Sequence, residues 1–233
     1  PIIAENHQQL MNAYAAGGAA KAAVQSQIYG GTNLQNDGTF AASAVGRITA
    51  NYVNGPGTTV NGYDLYLKYE DDYANGVLST GFEANYVAKY SVDAYMKGAV
   101  QIAGAYECAG FFNIENPCRS MPEIKGKFFL NYQEDQHNFY GAINYISAYD
   151  DRRATAAGCA KTLTDGVCTE IAAHTTVDAT YTYSWDDQFD ISFSVYNLTD
   201  ELPPFTVWEM NYDAYTHSPL GRYIKAGFTY RMQ

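Results

Sequence analysis

Four cysteines are the residues whose spacing most directly suggests chemistry. They form two close pairs, Cys108 with Cys118 and Cys159 with Cys168. The spacing within each pair is longer than the short spacing between cysteine ligands in zinc sites. We therefore favour an intraloop disulfide within each pair, which requires an exported protein in an oxidising compartment. Free thiols or a metal site are the alternatives.

Catalytic signatures are weak. The sequence has no Gly-x-Ser-x-Gly elbow or comparable arrangement that would place a nucleophile beside a base. Adjacent aspartates offer the acid and base of a glycosidase, but turn formation explains them where they stand. These pairs are Asp71 with Asp72, Asp150 with Asp151, and Asp186 with Asp187. The scattered histidines, which we interpret as solvated surface residues, are His7, His137, His174 and His217. We predict no enzyme, no cofactor and no metal site.

The composition favours an all-β protein. The 233 residues include 22 Tyr, 11 Phe and 2 Trp but only 14 Lys and Arg, and aromatic residues favour strands. The net charge of -11 comes without the basic stripe that phosphate binding needs, so nucleic acid is excluded as a partner. No stretch approaches the roughly 20 apolar residues of a transmembrane helix. If the chain spans a membrane, it does so as a barrel.

The elements that must position these residues are strands, because apolar and polar residues alternate with a period of two. In one segment Val177, Tyr181 and Trp185 share the apolar face while Asp178 and Thr182 lie on the other. The alternating segments are residues 64–70, 78–90, 124–133, 139–145, 177–185, 189–195 and 224–232. Seven antiparallel strands are therefore predicted. A soluble sandwich also alternates, so the pattern alone does not place the apolar face in lipid.

The connections between these segments favour a transmembrane barrel. Short polar turns at 71–75, 134–136 and 186–188 alternate with long segments at 93–120, 150–173 and 202–220. Transmembrane barrels have tight periplasmic turns and long extracellular loops. Aromatic residues near the segment ends suit the girdles at the membrane interfaces: Tyr63, Tyr69, Tyr90, Tyr132, Tyr183 and Trp185.

Residues 1–45 do not follow the alternating pattern. The Ala-rich stretch 8–25 is compatible with a short helix, and residues 30–38 resemble a turn. We interpret residues 1–45 as an extracellular loop region and residues 46–233 as barrel strands. The first strand is expected from Arg47 to Tyr69, with a kink at residues 54–57 that can divide it.

The end of the chain resembles the closing strands of TonB-dependent outer-membrane receptors. The resemblance rests on Phe193-Ser-Val-Tyr-Asn-Leu-Thr-Asp-Glu-Leu-Pro-Pro204, on Tyr212-Asp-Ala-Tyr-Thr-His217 and on Gly221-Arg-Tyr-Ile-Lys-Ala-Gly-Phe-Thr-Tyr-Arg231. A second stretch that resembles the family lies upstream, at Ile48-Thr-Ala-Asn-Tyr-Val-Asn-Gly-Pro56 followed by Val60-Asn-Gly-Tyr-Asp64. The resemblance covers the chain from about residue 46 to its end.

This resemblance implies a fold, a location and partners. The seven strands would be the last third of a 22-stranded β-barrel in the outer membrane of a Gram-negative bacterium, in contact with lipid and lipopolysaccharide. The family's plug domain and TonB-binding segment are expected upstream of these residues. The barrel would house its own plug domain, and the TonB complex would drive uptake of a small-molecule nutrient.

Ligand contact is expected on the long loops. Aromatic and arginine side chains suit sugars or aromatic chelates, because they stack and form bidentate hydrogen bonds. An alternative is that the loops pack on each other and on lipopolysaccharide. The resemblance also leaves open a metal or haem ligand role for His217. The candidate ligand-binding residues are Phe111, Phe112, Asn113, Arg152, Arg153, Trp208, Tyr212 and Tyr215.

The predicted function is that of a TonB-dependent receptor for a scarce nutrient, either a ferric siderophore, a cobalamin or a carbohydrate. The first alternative is a passive porin or structural barrel, which would share the alternation but lack receptor-like closing strands. The second is a secreted β-sandwich, either a binding module or a carbohydrate-active enzyme, in which the apolar face is a buried core.

Overall fold

The computed structural model describes residues 2–31, 36, 38–113, 118–151, 169–186, 188–206 and 210–231. Within these residues, strands outnumber helices. The helical elements are α1 (His7–Ala16), α2 (Gly18–Val24) and two 3₁₀ turns (Gln25–Gln27 and Ala42–Ala44). The first nine strands are β1 (Ile2–Ala4), β2 (Ile28–Gly30), β3 (Val45–Ile48), β4 (Tyr52–Asn54), β5 (Thr58–Tyr73), β6 (Gly76–Val92), β7 (Tyr95–Lys97), β8 (Val100–Ala103) and β9 (Tyr106–Glu107). The others are β10 (Phe111–Asn113), β11 (Arg119–Met121), β12 (Ile124–Glu134), β13 (His137–Ile146), β14 (Tyr149–Asp151), β15 (Thr169–Ile171), β16 (His174–Ser184), β17 (Phe189–Tyr196) and β18 (Tyr223–Tyr230).

The seven strands predicted from alternation are confirmed. They form one sheet in the order β18-β17-β16-β13-β12-β6-β5, which the short strand β9 extends by pairing with the end of β6. Apart from β9, the strands of this sheet lie side by side in the order in which the long strands follow one another in the sequence, as in the wall of an up-and-down barrel. The register is regular: Phe128 of β12 lies opposite Phe82 of β6 and Ile143 of β13.

The predicted difference between the two edges of the sheet is also confirmed. At one edge, short turns join β5 to β6, β12 to β13, and β16 to β17. Ala74 and Asp135 adopt positive φ angles of 54° and 47° in two of these turns, as tight hairpins require. In the third turn the Asp186 carboxylate accepts hydrogen bonds from the backbone N–H groups of Gln188 and Phe189. All the long connections therefore leave from the opposite edge, which we call the long-loop edge.

The two faces of the sheet differ in the way a membrane barrel requires. One face carries a continuous apolar row in which Phe82, Phe128, Ile143 and Val177 are consecutive partners. Phe128 and Ile143 are each 44% exposed, so this face is not the core of a sandwich. The solvent-accessible apolar area is instead available to lipid.

The opposite face is polar. Lys127 lies opposite Glu83 and Asn144, and Asn144 donates a hydrogen bond of 2.9 Å to Asp178. A groove of about 410 Å³ opens on this face between β5, β6 and β12. The polar face therefore has the character of a wet or filled barrel interior.

The expected strand from Arg47 to Tyr69 is divided into three strands, β3, β4 and β5, which belong to three different sheets. β3 pairs with β2, β4 pairs with β1, and the strand of the large sheet begins only at Thr58. Pro56 lies in the gap, and a proline cannot donate a ladder hydrogen bond. The expectation of a break at residues 54–57 is confirmed, whereas the expected start of the barrel strand is wrong.

The chain divides into two compact units, residues 1–60 with 90–107 and residues 61–89 with 108–233. The first unit contains both helices. The Asn6 side chain caps α1 by accepting from the N–H groups of Gln8 and Gln9, and Gly17 at φ 75° ends it. The helices pack on a core of Leu10, Ala13, Tyr14, Val24, Ile28, Tyr95 and Ile102. The helical expectation for residues 8–25 is confirmed, and the domain boundary between residues 45 and 46 stays a prediction.

Glu5 is the buried charge of this first unit. Its carboxylate accepts hydrogen bonds from the Tyr95 hydroxyl at 2.6 Å, the backbone N–H of Asn51 at 3.0 Å, the Lys97 ammonium at 3.1 Å and the Gln27 amide. Burial alone would raise the pKa of Glu5, but these hydrogen bonds together hold it below its usual value. None of the helices in the described residues is long and apolar enough to cross a membrane.

Candidate functional site: the loop junction

The long connections of the second unit are organised by a small sheet at the long-loop edge. β10 pairs antiparallel with β11 and parallel with β14, and β14 pairs with β15. Phe112, Tyr149 and Ile171 form its apolar core, and each is at most 3% exposed. The disulfide between Cys108 and Cys118 closes the hairpin of β10 and β11. The first predicted disulfide is thus confirmed, whereas Cys159 and Cys168 lie outside the described residues.

Asp213, in the last long connection, is fully buried beside this sheet. Its Oδ2 atom accepts hydrogen bonds from the Tyr149 hydroxyl at 2.7 Å and the Ser120 hydroxyl at 2.5 Å. Its Oδ1 atom accepts from the backbone N–H of Tyr215 at 2.9 Å. One carboxylate therefore joins three connections that are far apart in sequence. Charge-assisted bonds of this kind are about twice as strong as neutral ones.

The remaining polar groups around Asp213 are histidines and a threonine. The Nε2 atom of His217 lies 2.9 Å from the Tyr149 hydroxyl, and the Ser120 and Thr216 hydroxyls lie 2.6 Å apart. The His217 and His174 rings meet edge to face with their centres 5.0 Å apart. We call the set of Ser120, Tyr149, His174, Asp213, Thr216 and His217 the loop junction.

The proton positions in the loop junction follow from its hydrogen bonds. Because the Tyr149 hydroxyl has one proton and Asp213 can only accept, that proton goes to Asp213. His217 must then carry its proton on Nε2 and donate it to the Tyr149 oxygen. In this tautomer Nδ1 of His217 is an unprotonated nitrogen, buried without a hydrogen-bond partner among the described residues. Nε2 of His174 is also buried without a hydrogen-bond partner among the described residues.

The electrostatics keep the loop junction in this form. Burial, with a contribution from Asp213, raises the pKa of Tyr149 far above its usual value, so the hydroxyl stays protonated. Burial and then the neighbouring His174 lower the pKa of His217 to about 4, against the attraction of Asp213 and with a smaller contribution from Lys125. His217 is therefore neutral at physiological pH. The interpretation of His174 and His217 as solvated surface residues is wrong, since they are 9% and 5% exposed.

A second buried carboxylate joins two of the same connections. Asp151, at the end of β14, is fully buried and accepts a 2.5 Å hydrogen bond from the hydroxyl of Thr206, which is fully buried as well. The connection after β13 is thereby tied to the connection after β17 twice, through Asp151 and through Tyr149. The long loops pack on one another, as the alternative to ligand contact anticipated.

The exposed surface of this assembly carries an arginine–tyrosine pair. The Arg119 guanidinium donates a hydrogen bond of 2.6 Å to the Tyr215 hydroxyl and lies 5.1 Å from the centre of its ring. Tyr215 is 50% exposed. Arg119 directly precedes Ser120, and Tyr215 follows Asp213 by two residues, so the loop junction holds both members of the pair in place.

The structure distributes the predicted ligand-binding residues unevenly. Tyr215 is at the surface, whereas Phe112 is only 1% exposed and fills the core of the loop sheet. Phe111 and Tyr212 are partly buried, and Tyr212 forms an isolated β-bridge with Phe205. Asn113 lies opposite Arg119 in the hairpin of β10 and β11. Arg152, Arg153 and Trp208 lie outside the described residues. Ligand contact by any of these eight residues stays a prediction.

The sequence-based reasoning did not foresee that these residues hold the loops together. Asp213 and His217 lie in the stretch 212–217 that carries the family resemblance, but Tyr149 and Ser120 stand in no motif, and the contacts among all four depend on how the three connections meet. One signal was available. Tyr149 comes three residues after the end of β13 and His174 begins β16, so both lie at the long-loop edge. Among the described residues, no group of three or more histidine, cysteine or acidic side chains is placed to hold a metal ion.

Comparison with known proteins identifies the large sheet. A family model described as TonB dependent receptor-like, beta-barrel matches residues 23–198, which is more than half of the chain. The match runs from α2 to just beyond β17, and so includes the loop sheet but ends before β18. No curated protein and no solved structure matches the chain.

Proposed function

The chain belongs to the TonB-dependent receptor-like β-barrel family, and from this premise we propose that it is part of an outer-membrane receptor that captures a scarce nutrient on its long loops. The family implies transport across the outer membrane of Gram-negative bacteria, and a transporter rather than an enzyme. Our proposal adds to this an extracellular position of the loop junction, the class of ligand and the partners. A ferric siderophore, a cobalamin and a carbohydrate are the candidate nutrients.

One observation carries the proposal beyond the family: the long loops form a packed layer with its own buried core and exposed contact pair. A receptor binds more tightly when the side chains of its surface are held in fixed positions before the ligand arrives. The loop sheet, the disulfide and the two buried carboxylates provide that rigidity.

Arg119 and Tyr215 are the described residues best placed to contact a ligand. A tyrosine ring stacks on sugar rings and on aromatic chelators, and a guanidinium pairs with carboxylates in a bidentate manner. Their mutual contact fixes both side chains, so less conformational entropy is lost on binding. This pair favours a ligand with a flat or ring-shaped face beside an acceptor group.

The two faces of the large sheet suggest the other partners. The apolar face would contact lipid and lipopolysaccharide, and the polar face with Lys127, Glu83 and Asp178 would surround the receptor's own plug domain. Coupling to the TonB complex would act through that plug.

The proposal is tested by uptake in cells that contain or lack TonB. We would supply labelled ferric siderophores, cobalamin and oligosaccharides to cells producing the receptor, and compare accumulation in the two backgrounds. Accumulation of at least one ligand that disappears without TonB supports the receptor. Entry that is equal in both backgrounds identifies a passive porin and overturns the proposal.

Variants at the contact pair test the binding surface separately. Loss of one stacking contact is worth about 1 kcal/mol, so Tyr215→Ala should weaken binding of the transported ligand by roughly fivefold. Tyr52→Ala is the matched control, because Tyr52 is 82% exposed but belongs to the first unit. Equal affinities of Tyr215→Ala and wild-type receptor would remove the pair from the binding site.

A further inference from the structure

The loop junction contains two buried imidazoles that have no acceptor for an added proton. Nδ1 of His217 and Nε2 of His174 are both buried without a partner in the described part of the chain, and their rings are in edge-to-face contact. We propose that the loop junction is an acid-sensitive latch: protonation of His217 opens the contacts that hold the three long connections together. This inference extends the proposed function, because these connections carry the contact pair.

The geometry explains why a proton on His217 would oppose closure. His217 already donates from Nε2 to Tyr149, so an added proton sits on Nδ1, for which the described residues offer no acceptor. An unpaired buried charge raises the free energy of the closed junction, and exposure of the imidazole to water removes this penalty. The junction therefore closes around the neutral imidazole.

The charged and titratable groups around His217 act in both directions. Tyr149 of β14 contacts it directly, His174 of β16 meets its ring, and Lys125 of β12 adds positive potential. Asp213 attracts a positive imidazole, but its Oδ2 atom already accepts from two hydroxyls. Burial first, and then His174 and Lys125, outweigh this attraction, since the pKa of His217 is lowered to about 4.

The direction of the pH effect follows from this lowered pKa. An exposed histidine in an open junction titrates at its usual pKa near 6.5, so the open form binds more protons than the closed form between about pH 6.5 and 4. The closed form is therefore most favoured above pH 6.5 and loses its advantage as the pH falls through this range. From these values, the ratio of open to closed junction should rise about 30-fold between pH 7.5 and pH 5.0.

Amide hydrogen exchange of the full receptor in detergent micelles measures this opening. Exchange times are scaled to the intrinsic rate at each pH, and peptides covering residues 210–220 are compared with peptides from the large sheet. We expect protection of residues 210–220 to fall about 30-fold from pH 7.5 to pH 5.0 while the large sheet keeps its protection. In His217→Gln, whose amide can replace Nε2 as donor to Tyr149, protection should vary less than threefold.

His137→Gln is the matched control, because His137 is exposed at a short turn on the other edge of the sheet. It should retain the full pH dependence. Protection that does not change with pH in the wild-type receptor overturns the latch, and so does an unchanged 30-fold fall in His217→Gln. If His217→Gln fails to fold, the wild-type comparison between residues 210–220 and the large sheet decides alone. The measurement uses no ligand and no TonB, so the latch can fail while the proposed function stands.

Discussion

The loop junction depends most on the hydroxyl oxygen of Tyr149. Removing this oxygen gives the sharpest test of our interpretation. Tyr149→Phe deletes one oxygen and leaves the ring in the apolar core with Phe112 and Ile171. The deleted oxygen donates to Asp213 at 2.7 Å and lies 2.9 Å from Nε2 of His217. The substitution therefore breaks two buried hydrogen bonds without opening a large cavity.

The expected cost can be worked out from these two bonds. A hydrogen bond to a charged group contributes about 1.5–3 kcal/mol, and a neutral one about 1 kcal/mol. The Ser120 hydroxyl and the Tyr215 N–H still serve Asp213, which limits the loss. We expect the free energy of opening of the last long connection to fall by about 2–4 kcal/mol, or roughly 30- to 1,000-fold in exchange protection.

Hydrogen exchange of peptides covering residues 210–220, at pH 7.5, measures this change directly. Tyr145→Phe is the matched control, because Tyr145 lies four residues earlier, near the end of β13, and is 41% exposed. It should change protection by less than 0.5 kcal/mol, as is usual for surface substitutions. If Tyr149→Phe behaves like Tyr145→Phe, the hydroxyl does not hold the loops and our description of the loop junction is wrong. A double variant with Asp213→Asn should then show no coupling between the two positions.

Three further predictions concern other parts of the chain. Ile143→Arg places a charge on the apolar face and should destabilise the folded barrel by about 2–4 kcal/mol, whereas Asn144→Arg on the polar face should destabilise it much less. The amount of heat-modifiable barrel in outer-membrane fractions measures both effects, and equal losses would contradict the assigned faces. Cys108→Ser should lower protection of β11 by up to about 3 kcal/mol in exchange measurements while β12 is unaffected. Glu5→Gln should destabilise the first unit at pH 7. The difference from wild type should shrink as the pH falls from about 4.5 through the lowered pKa of Glu5, since a lowered carboxylate pKa contributes its full stability only above the unfolded value. Exchange of α1 between pH 3 and 7 checks this, and a difference that stays constant over this range would refute it.

The large sheet could be predicted from the sequence because each strand carries its own evidence. A period of two in a segment such as residues 177–185 reflects two different environments on the two faces, and the short turns fix which strands are neighbours. The observed register, with Phe128 opposite Phe82 and Ile143, brings together the apolar faces that the alternation predicted. Local pattern and global fold agree here.

The first unit was only partly predictable. The Ala-rich stretch indicated the helical region, but strands of three or four residues such as β1 and β4 are too short to show a period. Residues 47–53 look like the start of a long strand because four of the seven are β-forming: Ile48, Thr49, Tyr52 and Val53. Their actual partners, β1 and β2, lie far upstream, so tertiary pairing overrides the local preference.

The loop junction could not be predicted because its stability comes from polar groups whose burial the sequence does not reveal. The family resemblance marks the stretch 212–217 but not the burial of Asp213 and His217, and only the meeting of three connections removes them from water. Polar cores have a consequence that apolar cores lack: their strength depends on the protonation state of each member. The stability of the large sheet, with its exposed apolar row, depends on contact with lipid. The stability of the loop junction depends on pH. A change of external pH can therefore alter the loops while the strands that carry them stay unchanged.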